Sequence, residues 1–294
     1  MAHELDTMKT VAFKRRPASG HMADATLVWS APAKARPATG AKKRLCRSRL
    51  VEDNWHMVPL HIQLADSTLR RVIKRLHFPL EVMLVCVRWY AAYPLSLRNL
   101  EEMMAERGVL VDHATVHRWA VKMLPVLAAV FRRRKHPVGT SWRVDETYVL
   151  VGGQWKYLYR AVDRLGQTVD FLLTARRDVA AARRFFERAI DLHDVPEKIT
   201  IDKSGANTVA VRGLIADSGA AIALRQSKYL NNLVEQDHRA IKRRIRPMMG
   251  FKSFGSARRI IAGIETMHMI KKRQLCCRKG FAFSAADRFY SLAA

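Results

Sequence analysis

The stretch WRVDETYVLVGGQWKYLYRAVDRLGQTVDFLLT, residues 142–174, decides the fold class. Apolar and polar residues alternate through WRVDETYVLV (142–151), which predicts a strand with Trp142, Val144, Tyr148 and Leu150 on one face. Gly152-Gly153 offers the two positive-φ positions that a two-residue hairpin turn requires. QWKYLYRAV (154–162) is then the returning strand, Asp163–Gly166 a turn, and TVDFLLT (168–174) a third strand.

Downstream the period changes. A helix is predicted over 178–192, a short strand over KITID (198–202), a helix over 207–218, a strand over AIALRQ (221–226) and a basic helix over 232–245. The order β-β-β-α-β-α-β-α describes an α/β domain, residues 136–248, whose mixed sheet is flanked by helices.

Upstream, about Leu69 to Leu127 has a helical pattern. Leu80–Tyr93 is strongly apolar and ends at Pro94. Ser96 can cap a helix running to about Glu106, Gly108 ends it, and Asp112 can cap the next, HATVHRWAVKML. Two short helices around a glycine turn give a helix-turn-helix pattern within an all-α domain at 69–135, with Thr115, His117, Arg118 and Lys122 as candidate DNA contacts. An ordinary αα-hairpin has the same pattern. His113 and His117 stand at the i, i+4 spacing of a zinc pair, but no third ligand follows nearby, so a surface or DNA-facing role is the better reading. Residues 1–68 read as a basic, flexible extension and 249–294 as a basic helical segment.

The charge is uneven. The whole chain carries a formal +26, with 52 Lys and Arg against 26 Asp and Glu. Residues 141–238 are almost neutral at +1 and hold half of the acids, whereas 239–294 alone carry +12. Such a balance argues against an ordinary enzyme of small neutral metabolites and for a polyanionic partner. A basic frame around an acid-bearing centre suits an enzyme that grips a polyanion and cuts it at carboxylate-held metal. The four cysteines show no metal-ligand spacing and read as reduced thiols. With no 18-residue apolar run and no signal peptide, a cytoplasmic protein without a membrane partner is expected.

Three acids occupy informative places. Asp145 lies within the first strand, on the face opposite Trp142 and Val144; Asp202 ends the fourth strand; Glu235 lies in the first turn of the last helix. Adjacent parallel strands can bring Asp145 and Asp202 side by side, and a helix over the sheet can deliver Glu235. Converging carboxylates bind divalent cations that act on phosphodiesters. Each has a plainer reading. Asp145 could pair with Arg143, Asp202 could serve a turn, and Glu235, three residues after Asn232, could close a capping box. Their order and placement together favour catalysis. His238 and Lys242 share the Glu235 helix face at i+3 and i+7, and Arg239 and Arg243 add charge beside them, so all four are candidate DNA contacts.

These residues carry a resemblance. VRWYAAYPLSLRNLEEMMAERGVLVDHATVHRW (87–119), residues 142–173, TIDKSGA (200–206), KYLNNLVEQDHRAIKRR (228–244) and GFKSFGSARRIIAGIE (250–265) together resemble bacterial transposases of the "insertion sequence six" family, a branch of the DDE transposases. The resemblance implies a ribonuclease-H-like catalytic domain behind a helix-turn-helix. It implies cleavage and joining of double-stranded DNA at terminal inverted repeats and in target DNA, with two Mg²⁺ (or Mn²⁺) ions. It makes Asp145, Asp202 and Glu235 the acidic triad and Lys242 a DNA contact beside it. Cutting two ends implies a homodimer or higher assembly, nucleoid-associated when bound to DNA. The interval between Asp202 and Glu235 is 32 residues, slightly short, with the shortening placed near Ser218. Two other readings stay open: a catalytically inactive relative that only binds element ends, and a structure-selective nuclease acting on hybrids.

Overall fold

A computed structural model describes residues 67–74, 76–202, 205–227, 232–277 and 283–294. The predicted extension at 1–68 falls almost entirely outside these residues. Four helices come first: α1 (Ser67–Ile73), α2 (Leu80–Ala92), α3 (Leu97–Ala105) and α4 (His113–Arg133). The starts of α3 and α4 follow the predicted caps. The Ser96 side chain accepts from the Asn99 N–H, and Asn99 answers with a bond to the Ser96 N–H. Asp112 accepts from the Thr115 N–H at 2.8 Å. One boundary differs. The helix expected over 113–124 continues through Pro125 to Arg133. An interior proline costs one backbone hydrogen bond, and packing against a later helix, α8 (Phe254–Lys271), outweighs it. That packing is close: a Cβ on Gly263 would stand 2.5 Å from the Leu124 methyl carbons, so any larger residue there would force the Leu124 side chain to move.

β1 (Ser141–Val151) and β2 (Gln154–Asp163) form the expected hairpin, with φ of +56° and +73° at Gly152 and Gly153. β3 (Thr168–Thr174) pairs antiparallel with β2. β4 (Lys198–Ile201) and β5 (Ala223–Gln226) follow crossover helices α5 (Val179–His193) and α6 (Gly205–Ser218) and run parallel to β1. The sheet is mixed, in the order β3-β2-β1-β4-β5. The chain then forms α7 (Asn232–Ile245), a 3₁₀ turn, α8 and α9 (Ala285–Tyr290). The element order through β1–α7 is the predicted one.

The two faces of the sheet are covered differently. Helices α5 and α6 bring Phe185, Phe186, Val211 and Leu214 against Trp142, Val144, Tyr159, Ile199 and Ile201. On the other face, helices from both ends of the chain share one core. It joins Leu84, Trp119, Leu124, Ile260 and Ile264 to Val149, Val151 and Leu158 of the hairpin. The predicted apolar face of β1 therefore holds for only half the strand. Trp142 and Val144 face α5 and α6, but Tyr148 is 47% exposed while Val149 and Val151 are buried. The cause is strand length. β4 ends at Ile201, opposite Val144, so the hairpin tip outruns the layer that would cover Tyr148, and burial passes to the opposite face.

Candidate active site

The last paired residues of β1 and β4 are Val144 and Ile201, both in the apolar core under α5 and α6. Paired residues of parallel strands share a face, and successive residues alternate. Asp145 and Asp202 are each one step beyond that pair, so their backbones stand at neighbouring positions where the β1–β4 pairing ends. Helix α7 packs beside Asp145. The His238 Nε2 stands 3.6 Å from the Asp145 Oδ2, and Glu235 lies one helical turn before His238. The Glu235 carboxylate is half-exposed and pairs with Arg239 Nη2 at 3.4 Å. Register and helix position thus bring the three acids to one end of the sheet. Among the described residues, no three acidic, His or Cys side chains close together as a metal-ligand group.

Other acids of this segment have structural partners. Asp163 accepts from the N–H groups of Gly139, Leu165 and Gln167. Asp170 is bonded to Arg188 Nε at 2.8 Å, and Asp178 caps α5 through the Ala181 N–H. Glu146 faces α6, accepting from Asn207 Nδ2 at 2.9 Å and pairing with Arg177. Burial pushes the Glu146 carboxyl above its ordinary range, and the nearby charges of Asp202 and Asp145 add to that, while Asn207 and Arg177 oppose it.

Behind Asp145 lies a set of charges that the sequence reading missed. Arg160 is the cross-strand neighbour of Asp145 and is fully buried. It pairs with Glu265 of α8, also fully buried, and its Nη1 stands 3.2 Å from the Asp237 Oδ2. Asp237 further meets His268 Nε2 at 3.0 Å, Lys272, and the Thr168 hydroxyl at 3.4 Å. Burial alone would raise the Asp237 carboxyl. The His268 bond and the charges of Arg160 and Lys272 outweigh it, so the group sits below its ordinary range. Burial pushes Glu265 up to about 7 against the opposing pull of Arg160. One signal for this cluster was present. Arg160 and Glu265 are single charges inside the apolar runs YLYRAV and IIAGIETMHMI.

The candidate DNA contacts divide. Lys242, Arg239 and Arg243 are exposed along α7, and Arg118 and Lys122 are exposed along α4. His117 is half-buried, and burial with Lys252 nearby holds its imidazole below the ordinary range. Two have a different setting from the one expected. His238 is buried, because its turn of α7 packs onto the sheet beside Asp145; neither of its ring nitrogens makes a hydrogen bond among the described residues. Thr115 is buried too, and its hydroxyl donates to Asp112 at 2.6 Å and accepts from Arg118 Nη2, completing the start of α4. His113, the other half of the i, i+4 pair, is occupied by Glu101 at 2.9 Å. Among the described residues, no helix is long and apolar enough to cross a membrane.

Residues 139–274 match a family model described as a DDE domain. The chain is 37% identical over 212 residues to the transposase for the insertion sequence-like element IS431mec of Staphylococcus aureus, covering 70% of this chain and 92% of that protein. It is 36% identical over the same length to the transposase for insertion sequence element IS257 in transposon Tn4003 of Staphylococcus aureus, with the same coverage. Among solved structures, the HTLV-2 integrase catalytic core domain in complex with magnesium (trimeric form) is similar at 16% identity and a TM-score of 0.37, covering 55% of this chain and all (100%) of that one.

Proposed function

The chain belongs to the insertion sequence six family of DDE transposases, enzymes that cleave DNA and transfer strands, and from that premise we propose that it binds the terminal inverted repeats of its element and joins their ends to target DNA at a site built from Asp145, Asp202 and Glu235. The observation that supports this reading is the β1–β4 register: its last pair is Val144 and Ile201, and Asp145 and Asp202 each follow that pair by one residue.

The donor set fits a divalent metal. All three groups are carboxylates, and oxygen donors suit hard cations such as Mg²⁺ or Mn²⁺, of which this chemistry uses two. Ions held there would activate a water or a DNA 3′-hydroxyl and stabilise the attacking and leaving oxygens of an in-line displacement. The remaining work is the chain's own. Asp145 is held on a strand whose neighbour Arg160 is locked by Glu265 and Asp237. Asp237 fixes the helix that carries Glu235 two residues earlier. Glu235 must leave Arg239 to join the two aspartates. Lys242, Arg239 and Arg243 of α7 and Arg118 and Lys122 of α4 supply cations for phosphates, with His117 beside them. A ribonuclease-H-like core behind a helix-turn-helix is the architecture this reading requires. Action on two ends calls for at least a homodimer on the DNA, in a cytoplasmic, nucleoid-bound setting.

The test uses labelled inverted-repeat ends with Mg²⁺ or Mn²⁺. Asp145→Asn, Asp202→Asn and Glu235→Gln should each abolish cleavage and strand transfer while end binding persists. Activity retained by any one of them overturns that residue's assignment. The Glu235–Arg239 pair favours a second reading, a relative that binds ends without cutting. Wild-type protein that shifts the ends and never cuts them would establish it.

A further inference from the structure

A groove of about 620 Å³ lies between α1, α4 and α8, and none of the three acids lines it. Its walls carry Arg71 and Lys74 at the end of α1, Lys122 of α4 and Arg259 of α8, with Val121 and Pro125 on its floor. No carboxylate lines it, and among the described residues none of the four cations is held in an ion pair. All four are exposed. Four like charges facing one concavity repel each other unless an anion joins them. The floor has a local cause. Pro125 has no N–H to give the Val121 carbonyl, so α4 loses a backbone bond where the groove forms, and both side chains present an apolar surface.

We propose that this groove seats the sugar–phosphate backbone of duplex DNA, as a grip separate from the catalytic face. The inference rests on the reading of the chain as a DNA-acting enzyme and adds Arg71, Lys74 and Arg259 to its contacts. Charge selects the occupant. Residues 1–56 carry a net +6 and a second copy of the chain carries +26, so either would add to the repulsion. A polyphosphate backbone relieves it, and an apolar floor suits deoxyribose. Arg118 and Lys122 stand at i, i+4, so the groove continues the exposed face of α4. Contacts of this kind position a duplex without reading its bases.

The experiment measures affinity of the full chain for an element-end duplex and for a scrambled duplex of equal length, from about 50 to about 200 mM salt. The variant is Arg71→Gln/Lys74→Gln/Arg259→Gln, with Arg259→Gln alone beside it. Each lost phosphate contact lowers the slope of log affinity against log salt by about 0.9. The triple variant should therefore lose about 2.7 from the slope and the single about 0.9. Across that salt range the wild type should lose roughly forty-fold more affinity than the triple variant. Both duplexes should weaken by the same factor, leaving the preference for element ends unchanged. An unchanged slope, or a loss confined to the element-end duplex, overturns the groove as a backbone seat. A wild type that holds neither duplex overturns the functional reading together with it.

Discussion

The two faces of the sheet are built from opposite materials. Under α5 and α6, Trp142, Val144, Tyr159 and Ile201 meet Phe185 and Phe186, with the Tyr159 and Phe185 rings stacked at 5.7 Å. Under α7 and α8, at the level of Asp145, the buried groups are Arg160, Asp237 and Glu265, with the half-buried His268 and Lys272 beside Asp237. Apolar burial contributes roughly 25 cal/mol per Å² and has no preferred direction. Buried ion pairs contribute little net stability, because desolvation offsets most of their Coulombic gain. They do dictate geometry, since each group accepts only a few partners. The first face holds the sheet together. The second fixes where α7, and hence Glu235, sits relative to Asp145.

The largest expected effect breaks the charged face. Arg160→Met leaves Glu265 and Asp237 buried without their shared partner and should destabilise the protein by about 3–5 kcal/mol in urea unfolding. Replacing the group together, as Arg160→Met/Asp237→Leu/Glu265→Leu, should recover most of that loss, because the fully buried charges go together and the two groups that lose Asp237, His268 and Lys272, are only half-buried. Strand transfer should nevertheless fall by about 100-fold, the order expected when a catalytic group is displaced by about 1 Å. A triple variant that regains stability and full transfer would show that the cluster does not aim α7.

Next in size is a cavity on the apolar face. Phe186 is fully buried, and Phe186→Ala should cost about 3–5 kcal/mol. Transfer per folded molecule, measured well below the lowered melting temperature, should stay within about twofold of wild type. A fall as deep as that of the Arg160 triple variant would erase the distinction between the faces.

The sequence carried the elements better than their faces. Gly152-Gly153, Ser96 and Asp112 act within a few residues of themselves, so turns and caps are readable locally. The neighbouring placement of Asp145 and Asp202 was also within reach, since it needs only one parallel pairing. The reversal of burial along β1 was not. It depends on β4 ending at Ile201, a property of another strand about fifty residues away. The Arg160 cluster was hidden for the same reason: Arg160 and Glu265 are 105 residues apart, and neither shows the other's charge. His238 and Thr115 were read as outward-facing because helix periodicity names a face without saying what covers it. The helix read over 113–124 also stopped short, because its continuation through Pro125 depends on packing against a close neighbour such as Gly263.

The smallest effect separates the members of the charged cluster by pH. Glu265 is raised to about 7 by burial, above the value of 4.5 expected for the unfolded chain. Its contribution is therefore complete below pH 4.5 and is lost as pH rises through about 7. Asp237 has the opposite sign: its carboxyl is depressed, so its contribution is present above 3.8 and is lost as pH falls. Burial also depresses His268 and His238 below 6.5, which likewise removes stability on the acid side. Because these histidines also change stability below 6.5, the wild-type curve alone mixes the two signs, and the difference from Glu265→Gln isolates one. Melting temperatures from about pH 4.5 to 7 should show the wild type losing ground to Glu265→Gln as pH rises, by on the order of 2 kcal/mol or several degrees. Parallel curves would mean that Arg160 holds Glu265 ionised throughout. The cluster would then be a fixed ionic lattice rather than one that can exchange a proton near neutrality.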